Sequence, residues 1–222
     1  MSSAGLRRFT GPPAPARAVA SEERCELCGV AVDARHGHVA QLDRRSLLCA
    51  CRACYLLFDR DGAGGGRLRA VPERYLTDPG RRLADADWDE LGIPVTTAFF
   101  FIYGDLGRVI ACYPSPAGAT ESTLELEAWQ GLRRDYPLLA MPVPDVEAVY
   151  MTDVAGEREA FLLPIDACFA LVGQVRRSWR GLDGGAEVRR VLAGFADDLR
   201  RRCRPVGRAS GASAAGHGRG AV

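Results

Sequence analysis

At 222 residues, with 47% apolar and 26% charged side chains, the chain is long enough for one ordinary globular domain plus a small module, and too short for two full-sized domains. Its net charge of +1 argues against a general electrostatic attraction to nucleic acid or to anionic lipid. All 29 basic residues are arginine and asparagine is absent, which excludes a Schiff-base lysine, a P-loop lysine and an N-glycosylation acceptor.

Residues 1–20 are rich in Pro, Ala, Gly and Arg and are expected to be disordered. Arg7-Arg8-Phe9 lacks the apolar stretch that an export signal needs, so a cytoplasmic location is expected. A metal-binding module is expected over residues 21–59. Its reading is a tight turn at Cys25–Gly29, a strand from His38 to Leu42, a turn at Asp43-Arg44-Arg45 and a second strand through Cys49. A second Cys-x-x-Cys then leads into a short helix carrying Tyr55, Leu56 and Phe58. Gly62-Ala63-Gly64-Gly65-Gly66 reads as the linker that follows.

A larger α+β domain is expected over residues 67–202. Asp87 caps a short helix through Leu91. Val95–Tyr103 and Arg108–Tyr113 flank Gly104-Asp105-Leu106-Gly107 as a hairpin, and the nine-residue apolar run is too short to cross a bilayer as a helix. Pro114 through Gly118 breaks the pattern, and Leu126–Asp135 reads as a helix. Val146–Thr152 and Glu159–Leu163 form a second strand pair. Ile165, Cys168, Phe169, Val172, Val175 and Trp179 then mark the apolar face of one helix, and Val188, Val191, Leu192, Phe195 and Leu199 that of another. Hairpin then helix, twice, favours α+β over a parallel doubly wound sheet. Residues 203–222 are expected to be a disordered basic tail.

Five of the eight cysteines fall between positions 25 and 54, a spacing that reads as metal binding rather than a disulfide framework. Thiolates two residues apart on a tight turn reach one tetrahedral ion, so Cys25, Cys28, Cys51 and Cys54 are the expected ligands of one structural zinc in a zinc-ribbon-like module. The 22 residues between the pairs slightly exceed the usual spacing of about 15–20, a difference a β-hairpin absorbs. His36, His38 and Cys49 are surplus donors, and each histidine taken singly reads as a supporting or surface residue rather than a ligand. His38 or Cys49 replacing a cysteine, a second ion on the surplus, or an iron–sulfur cluster on Cys28, Cys49, Cys51 and Cys54 are the alternatives.

Cys112 and Cys168 fall on apolar faces and read as core residues. Cys203, among arginines, is reactive if exposed and incidental otherwise. His217 is the one histidine outside the module, no nucleophile motif is present, and the pairs Asp85/Asp87 and Asp197/Asp198 read as cap and surface acids. No catalytic residue is expected. The segment Ser115–Ser122 reads either as a recognition loop, with Thr120, Glu121 and Ser122 as its contact residues, or as a tight connection whose prolines and glycine stop the strand.

The order Cys-x-x-Cys-Gly, His36-Gly-His38, Leu47-Leu48-Cys49-Ala-Cys51-Arg-Ala-Cys54, Phe99-Phe100-Phe101, Tyr113-Pro-Ser-Pro-Ala-Gly-Ala-Thr-Glu-Ser122, Phe161-Leu-Leu-Pro-Ile-Asp166 and Trp179-Arg-Gly-Leu-Asp-Gly-Gly185 resembles an uncharacterised actinobacterial family. That family, a domain of unknown function, is commonly encoded beside high-affinity NiFe uptake hydrogenases. The resemblance spans roughly residues 22–202. It implies an accessory role in assembly, maturation or coupling of such a hydrogenase through contacts with its components, and it assigns no activity or ligand. The competing readings are a redox or metal-handling protein and a nucleic-acid-binding zinc ribbon. Five arginines balance five acids between Ser21 and Phe58, which disfavours the last.

Overall fold

The longest apolar run of the chain becomes a strand enclosed on both faces. Thr97 to Phe101 are buried without interruption, because β5 (Thr97–Tyr103) is covered on both faces. Phe99 and Phe101 face one cluster of apolar side chains, and Ala98 and Phe100 face another. The computed structural model describes residues 23–206 apart from 93–94, 124–125, 155 and 182–183.

The strand β5 sits inside a seven-stranded sheet of order β10-β4-β9-β8-β5-β6-β7. Its other members are β4 (Leu76–Thr77), β6 (Arg108–Ser115), β7 (Gly118–Thr123), β8 (Glu147–Val154), β9 (Glu157–Pro164) and β10 (Arg204–Pro205). Every pairing is antiparallel except that of β10 with β4. On one face lie α4 (Ile165–Ser178) and α5 (Gly185–Arg202), and on the other α2 (Asp85–Glu90) and α3 (Leu126–Asp135). The α+β class holds, and both expected hairpins form with their turns at 104–107 and near Gly156. Asp87 sits inside the first turn of α2 rather than ahead of it, and its Oδ2 accepts the N–H of Ala84.

The N-terminal module is a second sheet, β2-β1-β3, made of β1 (Gly37–Gln41), β2 (Ser46–Ala50) and β3 (Leu68–Ala70), with α1 (Arg52–Leu56) following β2. The glycine-rich 62–66 stretch is a turn, with Gly62, Gly64, Gly65 and Gly66 at positive φ, that brings β3 back to β1, so the module's sheet reaches Ala70, beyond the expected limit at 59. One face of β1 carries Val39, which packs with Ala50, Tyr55 and Ala70. The alternate residue Ala40, with Leu42 and Leu47, joins the same cluster as Phe101, Ile165 and Leu171 of the large sheet and α4. The module is thereby packed onto the body.

Three local expectations differ. Thr120, Glu121 and Ser122 lie on the edge strand β7, not in a loop. Pro114 tolerates a strand there because β6 pairs with β5 only through Cys112, so no bond to β5 is lost at the proline. Phe169 is 45% exposed although its spacing placed it on the apolar face, while Leu171 is fully buried. The expected tail begins at 203, yet Arg204 and Pro205 form β10, with Arg204 N–H donating to Tyr75 O. Residues 207–222 of that tail and residues 1–20 lie outside the described residues.

Candidate metal centre

The first pair of cysteines sits on a turn closed by backbone hydrogen bonds. Cys25 N–H donates to Val30 O and Gly29 N–H to Cys25 O, both at 2.8 Å. Gly29 takes φ +79°, a conformation that a residue with a Cβ adopts only with strain. Glu26 ties this turn to β2 twice: its N–H donates to Cys49 O at 2.8 Å, and its carboxylate accepts the N–H of Cys49 at 2.6 Å. The second pair begins α1, with Cys51 at the N-cap and Cys54 in the first turn.

These two segments bring the sulfurs of Cys25, Cys28, Cys51 and Cys54 within 4.8 Å of one another. The Sγ atoms of Cys28 and Cys51 are 3.7 Å apart. A tetrahedral ion with bonds of about 2.3 Å to thiolates separates the sulfurs by about 3.8 Å, so the group is the size of a single-ion site. A cuboidal iron–sulfur cluster holds its thiolates farther apart, since each bonds a different iron. The donor set is poorly satisfied by itself. Burial raises the Cys25 thiol, but the backbone N–H groups of Cys51, Leu27 and Cys28 outweigh it and bring it down to about 6. Cys54 is pushed up to about 12, first by its hydrogen bond with Cys28 and then by burial. Four thiols this close ionise together only with a cation between them.

His36, His38 and Cys49 form a separate group, each offering one ligand atom within 4.8 Å of the others. The seven donors therefore divide into four and three, and Cys49 stands with the histidines rather than with the other thiols. His38 and Cys49 are direct cross-strand partners in the β1–β2 pairing, which places them on one face of the sheet. That face is turned toward α4, whose Asp166 Oδ2 lies 2.8 Å from His38 Nδ1. His36 Nδ1 lies 2.8 Å from Asp33 O. Asp166, 128 residues from His38 in the chain, is the member that spacing had no means to find. Burial, then Glu26, raise the Cys49 thiol.

A cavity of about 800 Å³ opens between module and body. His36, His38, Cys51 and Tyr55 line it from the module, and Asp166, Asp198 and Arg202 from α4 and α5. The other cysteines are apart from all this. Burial pushes the thiols of Cys112 and Cys203 up to about 12 and that of Cys168 well above the usual range, so none is an activated nucleophile.

Residues 24–203 match a family of unknown function, DUF5947. The chain belongs to that family. No curated protein and no solved structure matches the chain. The DUF5947 match takes in both groups of donors and ends at Cys203, just before β10, so it covers the module and nearly the whole body together.

Proposed function

We propose that this member of DUF5947 is a metal-binding accessory protein whose Cys25, Cys28, Cys51 and Cys54 hold one structural zinc in a zinc-ribbon-like module. The observation that carries the reading is the convergence of four thiols, from two segments 22 residues apart, to within 4.8 Å. Hard cations avoid an all-thiolate set, and zinc accepts it without a redox role. With four protein ligands the site is closed, which is the mark of a structural ion. From the resemblance of its sequence to proteins encoded beside NiFe uptake hydrogenases, the partner assigned to the body is a component of such an enzyme, in the cytoplasm. The contact is assigned to the exposed edge strand β7 at Thr120, Glu121 and Ser122.

A zinc site contributes folding free energy because the unfolded chain does not hold the ion. Elemental analysis of the anaerobically purified protein is expected to find zinc and no iron. Cys25→Ser and Cys54→Ser lose that zinc and unfold the module, whereas Cys49→Ser keeps it. A brown protein containing iron and sulfide, or zinc lost from Cys49→Ser but retained by Cys25→Ser, overturns the ligand set. The partner half is tested separately. Thr120, Glu121 and Ser122 changed together to Ala leave folding and zinc content intact and abolish co-purification with hydrogenase components. Unchanged capture by the triple variant removes β7 from the contact, and absence of capture by the wild type removes the hydrogenase.

A further inference from the structure

Both histidines of the His36–His38–Cys49 group have one ring nitrogen already committed. The partner of His36 Nδ1 is a backbone carbonyl, which only accepts, so Nδ1 carries the proton and donates. The partner of His38 Nδ1 is the Asp166 carboxylate, which imposes the same tautomer. Each neutral ring is left with a bare lone pair on Nε2. The His36 side chain is only 9% exposed, and its Nε2 is buried with no hydrogen-bond partner among the described residues. A buried acceptor of this kind requires something to fill it. The two rings are 4.8 Å apart between centroids, and the Cys49 sulfur completes the trio.

The surroundings suit a cation. Asp166 accepts from His38, Glu23 Oε2 is 3.7 Å from His36 Nδ1, and the Glu26 carboxylate holds the N–H of Cys49. A carboxylate behind an imidazole fixes the ring and raises its basicity toward an ion on the opposite nitrogen. The backbone also makes room for this arrangement. Gly37, between the two histidines, lies so close to the Tyr55 ring that a Cβ there would sit 2.6 Å from it.

We propose that His36 Nε2, His38 Nε2 and Cys49 Sγ, with Asp166 orienting His38, form a second metal site for an exchangeable late first-row divalent transition ion. Two imidazoles and a thiolate select such ions over magnesium or calcium. Three protein ligands leave a coordination position open, unlike the closed four-thiol group. His36 and His38 line the cavity between module and body, which supplies the entry path. The site is independent of the structural zinc, and the two readings fail separately.

The experiment uses the full chain already carrying one zinc and freed of loosely held metal. Co2+ added anaerobically is expected to bind as one further equivalent, with visible d–d bands and a thiolate-to-cobalt charge-transfer band, and Zn2+ to compete for it. His36→Gln and Cys49→Ser lose that equivalent and keep the first zinc. Asp166→Asn, which preserves an acceptor for His38, weakens cobalt binding by about 10–100-fold. If His36→Gln fails to fold, Cys49→Ser and Asp166→Asn carry the test. No second equivalent in the wild type, or cobalt affinity unchanged in the folded variants, overturns the second site while leaving the four-cysteine centre standing.

Discussion

Glu147, on β8, is fully buried, and its charge is met by three donors. Arg74 Nε donates to one carboxylate oxygen at 2.8 Å and Nη2 to the other at 2.5 Å, while Val143 N–H adds a third bond at 2.8 Å. The Arg74 side chain is 38% exposed, so only one partner of the pair is fully desolvated. Removing the arginine leaves a buried carboxylate with one backbone donor. Arg74→Leu is therefore expected to lower unfolding stability by about 3 kcal/mol, the low end for a broken buried pair. Arg74→Leu combined with Glu147→Leu is expected to recover much of that loss, because no charge is then stranded. Urea unfolding of both variants checks this, and an Arg74→Leu protein within about 0.5 kcal/mol of wild type refutes it. Nothing in the spacing of Arg74 and Glu147 announces the pair, since 73 residues separate them.

At the level of elements, what was legible followed from local periodicity and turn chemistry. The α4 and α5 stripes, the 104–107 turn and the two Cys-x-x-Cys segments each express contacts within a few residues, and each forms near its expected place. The misses involve partners that are distant in the chain. The strand β3 was hidden behind five residues of glycine-rich turn, and only its pairing with β1 reveals it as part of the module. Phe169 fits the helical stripe at the fourth position after Ile165, yet the sheet and α5 together draw Cys168, Leu171 and Val175 inward instead. Phe169 is left at the rim, stacked on Phe101 at 6.4 Å. The residues Ser115–Ser122 looked like a loop because their Pro and Gly are turn formers, but the turn uses only 116–117 and β7 resumes at Gly118. The candidate site divides in the same way. Its cysteines and histidines were visible by spacing, whereas the separation into four and three donors, and the support of Asp166, depend on β1, β2 and α4 meeting in space.

For the whole molecule, the question is whether the cysteine-bearing module and the body melt as one unit. Four kinds of contact join them. Ala40, Leu42, Leu47 and Val71 enter the body's apolar cluster, and His38 meets Asp166. The Arg45 guanidinium lies 4.1 Å from the Tyr103 ring centroid, and Arg69 donates to Pro144 O at 3.3 Å. The surface polar contacts contribute little individually. The apolar ones couple the two sheets, because removing the module uncovers Ile165 and Phe101. All three tryptophans, Trp88, Trp129 and Trp179, lie outside the module, so their fluorescence reports on the body alone. If the four cysteines hold zinc as proposed, stripping it with a strong chelator is expected to lower the melting temperature seen by tryptophan, although no tryptophan belongs to the module. A loss of about 2 kcal/mol transmitted to the body corresponds to a fall of roughly 4–8 °C for a body of this size. A module that unfolds on chelation, seen as exposure of its thiols to a colorimetric reagent, with an unmoved tryptophan transition, would show that the two sheets are energetically independent. The shared cluster makes the opposite the expected result: an ion held as proposed by the four cysteines would stabilise β1 and β2, and through Ala40, Leu42 and Leu47 the packing beneath α4.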